Sequence, residues 1–513
     1  MKVHLLYADR DVEAVEIPRN RQAALDTLAL HVDSVTREVV SDLDLETLWQ
    51  AMAGDDEVVL LAVRQTMLAG PATVDEVHYR QDVLADCLAN SDVVRRLYAI
   101  ACQALEGERG IYRGFFSDHG EGLLTRSVQV VQMLLDVLRT LRRLGEEHAA
   151  SFRSTGFTRF FAELEDQLDD AYFAEVEEHL SMLHFKGGLV LSARLGAGNQ
   201  STAYVLRRPN PENRSGWFTT KSVLRKPNHG FTIPDRDESS FRALGELRDR
   251  GLDIVAAGLG EAAEHVLSYF RALRTEVGFY VGALTLHDRL RALDAPVTFP
   301  EVHEPSDPRL RARDLYDPCL ALHLGRRAVG NDLDADDARL VVVTGANQGG
   351  KSTFLRSLGI AHLMARSGLF VPASELATGL AAGIYTHFRR EEDATMTSGK
   401  FDEELARMSL IADRIGPGSV LLGNESFGAT NEREGSDIAT DVIDALEDSG
   451  VRVVIVTHMY DLAHRYEVRA RPGTVFLRAD RNDDGSRGYR LSVAPPLPTS
   501  FGEDVYRAVF ADA

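Results

Sequence analysis

Between Arg339 and His458 lies the stretch that most restricts how this chain can fold, and its centre is GANQGGKST, Gly345 to Thr353. Leu340 to Thr344 (LVVVT) is a short β-branched apolar run, which predicts a buried parallel strand. Gly345 opens a G-x-x-x-x-G-K-S loop, and a helical pattern follows at once in Phe354, Leu355, Leu358, Ala361 and His362. Strand, loop and helix in this order make a phosphate cradle, the P-loop. Its glycines let backbone N–H groups point inward, at the positive end of the following helix. The nucleotide-binding set predicted here is Gly345, Ala346, Asn347, Gln348, Gly349, Gly350, Lys351, Ser352 and Thr353. Lys351 is expected to reach the β/γ-phosphates and Ser352 to sit on Mg²⁺. The alternative, a Gly-rich turn before a helix, does not call for this order of elements.

The 513-residue length is enough for about three domains, and 44% apolar with 26% charged residues suits a globular protein with a sizeable core. A formal charge of −21 argues against coating nucleic acid by bulk attraction, while leaving room for a local basic patch. No long apolar run predicts a membrane span, and the start, MKVHLLYADRDVEAVEI, does not read as a secretory signal. Cys87, Cys102 and Cys319 show no metal spacing and suit a reducing compartment, so a cytoplasmic location is expected.

Residues 1–40 read as a cap or pairing segment, with Val3, Leu5 and Tyr7 alternating and a weak helix over 23–35. Residues 41–310 are mostly helical. One long amphipathic helix is predicted over about 126–149, another over about 157–183 and a further helical stretch over about 237–294. About 185–232 forms a β-rich insert, a meander of short alternating runs. Arg207, Arg208, Arg225 and Lys226 belong to a basic island there, with Trp217, Phe218 and His229 interleaved. The island grips phosphates, or else it is a solvated ribbon edge blunted by charge. Residues 311–513 alternate strand and helix, with strands expected at 340–344, near 369–371, and at 419–422, 451–457, 474–478 and 488–493. That alternation implies a mostly parallel sheet flanked by helices.

Downstream of the cradle, SVLLGNES (Ser419 to Ser426) is an apolar strand ending in Asn424 and Glu425. A strand of this kind sets a carboxylate near Mg²⁺ and, beside it, a glutamate that orients the attacking water. Glu425 fits the second role. Asn424 stands where an aspartate is expected and brings no negative charge, which predicts weaker Mg²⁺ binding or slower turnover. VRVVIVTH (Val451 to His458) is another buried strand, closing on a histidine suited to sensing the γ-phosphate. A metal site formed with His464 fails on spacing, because six residues separate them on different helix faces.

In order, TGANQGGKST, VPA, IYTHF, a Phe-bearing loop, NES…TNEREG and VTH resemble the MutS family of DNA mismatch-repair ATPases, within the ABC-type class. RAVGND (Arg327 to Asp332) resembles the family's nucleotide-flanking motif and adds Asn331 to the expected nucleotide contacts. The family signature Ser-Thr-Phe aligns with Gly399, Lys400 and Phe401, so its hydroxyls are missing in that register; a shift by one residue makes Ser398 the trans hydroxyl. The likeness covers Pro318 to about Asp461, and more weakly TLWQAMAGDD and EVHYRQDVLADCLAN. It does not extend to the family's mismatch reader. Phe161-Ala162-Glu163 and Phe173-Ala174-Glu175 are expected to be core Phe and surface Glu of one helix.

The resemblance implies an α+β multidomain protein, with a helical core and lever domain carrying the β insert, then an α/β P-loop ATPase domain. It implies ATP and Mg²⁺ as cofactors, with Lys351, Glu425 and His458 catalytic and Ser352 and Asn424 attending the metal. Head-to-tail homodimers through the ATPase domains are implied too, with DNA and repair proteins as partners. Two other readings stay open: an ATP-gated protein scaffold, and a nucleotide switch that does not hydrolyse.

Overall fold

The computed structural model describes residues 1–18, 20–29, 31–69, 73–111, 121–183, 190–195, 201–207, 238–390, 399–481 and 487–498. The chain is mixed α/β and divides into two compact units. One holds Met1–Val3, Arg95–Ser151 and Thr158–Arg274; the other holds His4–Val94, Phe152–Phe157 and Thr275–Ala513.

The first unit is mainly helical. Its amphipathic helix Glu121–His148 buries Val128, Val131, Leu135, Leu138 and Leu141, one stripe at helical spacing. The single helix expected over 157–183 is two, Thr155–Gln167 and Asp170–Met182. Asp169 causes the break: its side chain accepts from Tyr172 N at 2.7 Å, capping the second helix. The two Phe-Ala-Glu triplets therefore sit on different helices. Phe161 and Phe173 are buried, as expected of core positions; Glu175 is exposed, while Glu163 is half-buried and paired with Arg159. In the region of the β insert, Val190–Leu195 pairs antiparallel with Ser201–Arg207. A 55-residue helix, Glu238–Ala292, follows, and the division between units falls inside it.

Among the described residues the second unit contains two sheets. The larger is six-stranded, and five of its strands are parallel: Ile384–Phe388, Val420–Asn424, Arg452–Val456, Leu340–Gly345 and Thr474–Ala479, in that spatial order. Leu491–Val493 closes one edge, antiparallel. The Leu340 strand is buried along its whole length because parallel neighbours flank it on both sides. The helix Lys351–Arg366 follows it, and Lys400–Ala412, Glu432–Asp448 and Tyr460–Arg469 succeed the other strands. A smaller mixed sheet joins Glu301–His303, Glu375–Gly379, Leu310–Leu315 and Asn331–Asp334. The strand expected near 369–371 is not there: Val371 makes one isolated bridge to Thr298, and the strand begins at Glu375, in this second sheet.

Residues 1–18 form no strand. At Leu5 and Leu6 the backbone is satisfied instead by side chains of the second unit. Leu5 N and Leu6 N donate to buried Glu276 at 2.6 and 2.8 Å, Tyr280 Oη donates to Leu5 O, and Arg80 Nε donates to Leu6 O.

Candidate nucleotide site

At the end of the Leu340 strand the chain turns sharply. Gly345 has φ +105°, and a Cβ there would lie 2.8 Å from Ala479 N on the neighbouring strand. Gly350, at φ +89°, begins the helix Lys351–Arg366 without a side-chain cap. Its first-turn N–H groups therefore have no capping side chain.

Lys351, only 5% exposed, donates from Nζ to Gly345 O at 3.1 Å and Ala346 O at 2.9 Å. Burial pushes its amine down to about 8, partly offset by the Glu425 carboxylate. An anion entering the loop would favour the charged amine. Ser352 is exposed, and its Oγ donates to Asn424 Oδ1 at 3.0 Å.

Asn424 and Glu425 come from the end of the Val420 strand, and His458 from just beyond the Arg452 strand. Glu425 adopts φ +56°, with its N–H donating to Val456 O at 2.8 Å. Its Oε1 lies 2.9 Å from His458 Nε2 and its Oε2 lies 3.5 Å from Arg389 Nη1. The hydrogen bond from His458 is the main cause holding the Glu425 carboxyl below the usual range; Arg389 and Lys351 add to it. Behind Glu425, Ser426 Oγ pairs with buried His387 Nδ1 at 2.9 Å, and burial pushes that imidazole down to about 4.

Part of this constellation borders one cavity of about 670 Å³. Asn331, Asn347, Gln348, Gly349, Gly350, Lys351, Ser352, Thr353, Glu425 and His458 all line it; Gly345, Ala346 and Asn424 are not among its lining residues. The amide of Asn331 is committed to the main chain, donating to Tyr489 O at 3.2 Å and accepting from Leu491 N at 2.7 Å. The flanking segment RAVGND supplies Ala328 and Val329 to an apolar wall, and sequence reasoning missed its other members, Leu320, Leu324 and Tyr489. Leu324 and Val329 are 45% and 43% exposed there, apolar surface that a flat aromatic group would cover. The local sequence carries no periodic signal for that wall, because it forms only when the segment before Asn331 meets the one around Tyr489.

Among the described residues no cluster of three or more His, Cys, Asp or Glu is placed to hold a metal ion. The oxygen pair of Ser352 and Asn424, beside a phosphate-sized loop, suits a hard cation that keeps most of its ligands from water and phosphate. Gly399 caps the helix Lys400–Ala412, and Phe401 packs against the core of the larger sheet. Ser398 lies outside the described residues, as do Arg208, Arg225 and Lys226; Arg207 ends the strand Ser201–Arg207. No helix among the described residues is long and apolar enough to cross a membrane.

Comparison with known proteins matches residues 72–293 to the MutS2 N-terminal domain and residues 341–506 to MutS domain V. The chain is 30% identical over 206 residues to the DNA mismatch repair protein MutS of Chloroflexus aurantiacus, covering 37% of this chain and 21% of that protein. It is 34% identical over 142 residues to Endonuclease MutS2 of Carboxydothermus hydrogenoformans, covering 27% and 18%. With the MutS of Thermus thermophilus the figures are 29% over 286 residues, 53% and 34%. The chain thus spans only about a third or less of the length of these curated relatives.

Proposed function

This chain belongs to the MutS family, and we propose that it binds and hydrolyses ATP with Mg²⁺ and couples that cycle to DNA of altered structure, in repair or recombination. The supporting observation is the cavity that gathers Lys351, Ser352, Glu425 and His458 from separate stretches of one parallel sheet. In this reading residues 311–513 are the ATPase domain, residues 41–310 a helical core and lever domain, and residues 1–40 a cap segment.

ATP supplies a phosphoanhydride that water cleaves to ADP and phosphate. The amides of Gly345 to Thr353 hold the phosphates, and Lys351 turns its Nζ from the carbonyls of Gly345 and Ala346 toward them. Ser352 and Asn424 would hold Mg²⁺. Glu425, kept ionised by His458, accepts a hydrogen bond from the attacking water and orients it. His458, already on Glu425, reports on the terminal phosphate. Leu324, Val329 and Tyr489 form the wall for the base.

A homodimer pairing ATPase domains head to tail would bring Ser398 of one protomer to the phosphates of its partner. Arg207, Arg208, Arg225 and Lys226 are the proposed DNA contacts, and repair proteins are further partners. Asn424 favours a second reading, a slow or non-hydrolysing nucleotide switch, because an amide leaves Mg²⁺ without the usual negative charge.

Steady-state ATP hydrolysis with Mg²⁺, alone and with plain, mismatched and branched duplexes, tests both readings. Turnover that Glu425→Gln abolishes and DNA alters is the expected result. Turnover that ignores every duplex would sink the DNA coupling and leave an ATP-gated scaffold, and its complete absence would favour the switch.

A further inference from the structure

Arg389 is not among the cavity's lining residues, but it reaches one of them, Glu425, and it differs from nearby Arg390 and Arg407 in what holds it. Its N–H donates to Asn424 O at 2.9 Å, so its backbone is fixed where the Ile384 and Val420 strands end side by side. The next residue, Arg390, is pinned by Glu38 and Glu403; Arg407 is tied to Glu38, Glu403 and Phe388 O. The Arg389 side chain has no such web among the described residues. Among the described residues its ion-pair partner is Glu425, reached at 3.5 Å, and the side chain is 42% exposed. His458 holds the other oxygen of that carboxylate more closely, at 2.9 Å. Glu425 is, among the described residues, the carboxylate that lines the cavity, and each of its oxygens has a neighbour, one close and one loose.

A carboxylate so engaged keeps lone pairs for water, but Arg389 stands beside Oε2 and draws on its charge. A terminal phosphate would bring new negative charge close to Glu425. A guanidinium matches phosphate oxygens with paired N–H groups, and half-exposed ion pairs are weak enough to be exchanged. We propose that Arg389 is a positioning residue that switches partners, neutralising Glu425 in the nucleotide-free site and moving to the terminal phosphate when a nucleoside triphosphate binds. The switch leaves Oε2 its full charge for water only once there is a phosphate to attack. A diphosphate lacks the group that draws Arg389 away and leaves the pair closed. This inference rests on the nucleotide reading of the cavity given above.

The test is equilibrium binding of ADP and of the non-hydrolysable imido analogue of ATP to the full chain. The proteins are wild type, Arg389→Gln, Arg389→Lys, Glu425→Gln and the Arg389→Gln/Glu425→Gln double variant. Arg389→Gln should weaken the triphosphate about fivefold and change ADP less than about twofold, and Arg389→Lys should recover most of the loss. The penalty of Arg389→Gln should be larger in the Glu425→Gln background, where no ion pair has to open first. An equal or smaller penalty there, or equal weakening of both nucleotides, overturns the exchange. If Lys351→Ala binds both nucleotides as well as wild type, it is the nucleotide reading itself that fails. Lys351-dependent binding without coupling between Arg389 and Glu425 removes the switch alone.

Discussion

Two parts of the second unit solve the problem of a buried backbone in opposite ways. Around the cavity, parallel strands satisfy one another's main chain, and the turns at their ends leave Ser352, Glu425 and His458 lining the cavity, with buried Lys351 resting on the loop carbonyls of Gly345 and Ala346. Residues 4–6 belong to no sheet among the described residues, and Glu276, Tyr280, Tyr79 and Arg80 spend their polar atoms on the main chain. Where backbone holds backbone, side chains remain available for chemistry. Where side chains hold the backbone, a polar cluster is structural even though it is buried and perturbed. Glu276 shows the danger of reading perturbation as function. Its carboxyl is pushed up to about 7 by burial, further from its ordinary value than many working acids, yet it serves two amides.

That contrast can be broken by substitution. The largest effect is expected at Glu425→Gln, which should lower ATP turnover on the order of 10²-fold or more and leave the melting temperature nearly unchanged. At Glu276 the outcome should reverse. Glu276→Ala leaves the Leu5 and Leu6 amides without acceptors and should cost about 2–4 kcal/mol in urea unfolding. Nucleotide binding by the protein that remains folded should persist. A Glu276→Ala protein as stable as wild type would mean that the segment is not held in this way.

The same residue sharpens the comparison through pH. Its folded pKa, about 7, lies above the ordinary glutamate value near 4.5 that holds in the unfolded chain, so the folded state binds the proton more tightly. Its contribution is therefore fully favourable below about 4.5 and is lost as pH rises through about 7. Glu276→Gln should flatten the stability profile across that window, as read by unfolding at several pH values. Opposite sign is expected at Glu425, whose lowered pKa makes its charged form the stable one as pH rises.

A smaller effect is expected where the backbone frame meets the cavity. Gly345→Ala puts a Cβ 2.8 Å from Ala479 N at φ +105°, and should cost about 1–3 kcal/mol together with most nucleotide affinity. Asn331→Ala, which removes the link to Tyr489 and Leu491, should cost about 1 kcal/mol and weaken nucleotide binding modestly. If Asn331→Ala abolished binding with unchanged stability, its amide would be a ligand contact and not a brace.

By itself the sequence determined what local pattern can carry. The β-branched run at Leu340, the glycine loop and the apolar face after Lys351 specify strand, turn and helix within about two dozen residues. The runs ending at Asn424 and at Val456 are equally self-contained. Parallel strands buried on both faces have near-continuous apolar sequences, so they announce themselves. Tertiary structure alone decided the rest. The short strand Ile384–Phe388 is recognisable only through its partner, and a three-residue apolar run near 369–371 became a single bridge. Helical spacing carried across Leu168, but the carboxylate of Asp169 captured the next turn's N–H and split the helix. The wall of Leu320, Leu324, Val329 and Tyr489 joins segments more than 150 residues apart. The Arg389–Glu425 pair exists because two strand ends finish level in one sheet. Periodicity encodes which way a side chain points, whereas its partner is set by loop closure and strand order, which no short window of residues contains.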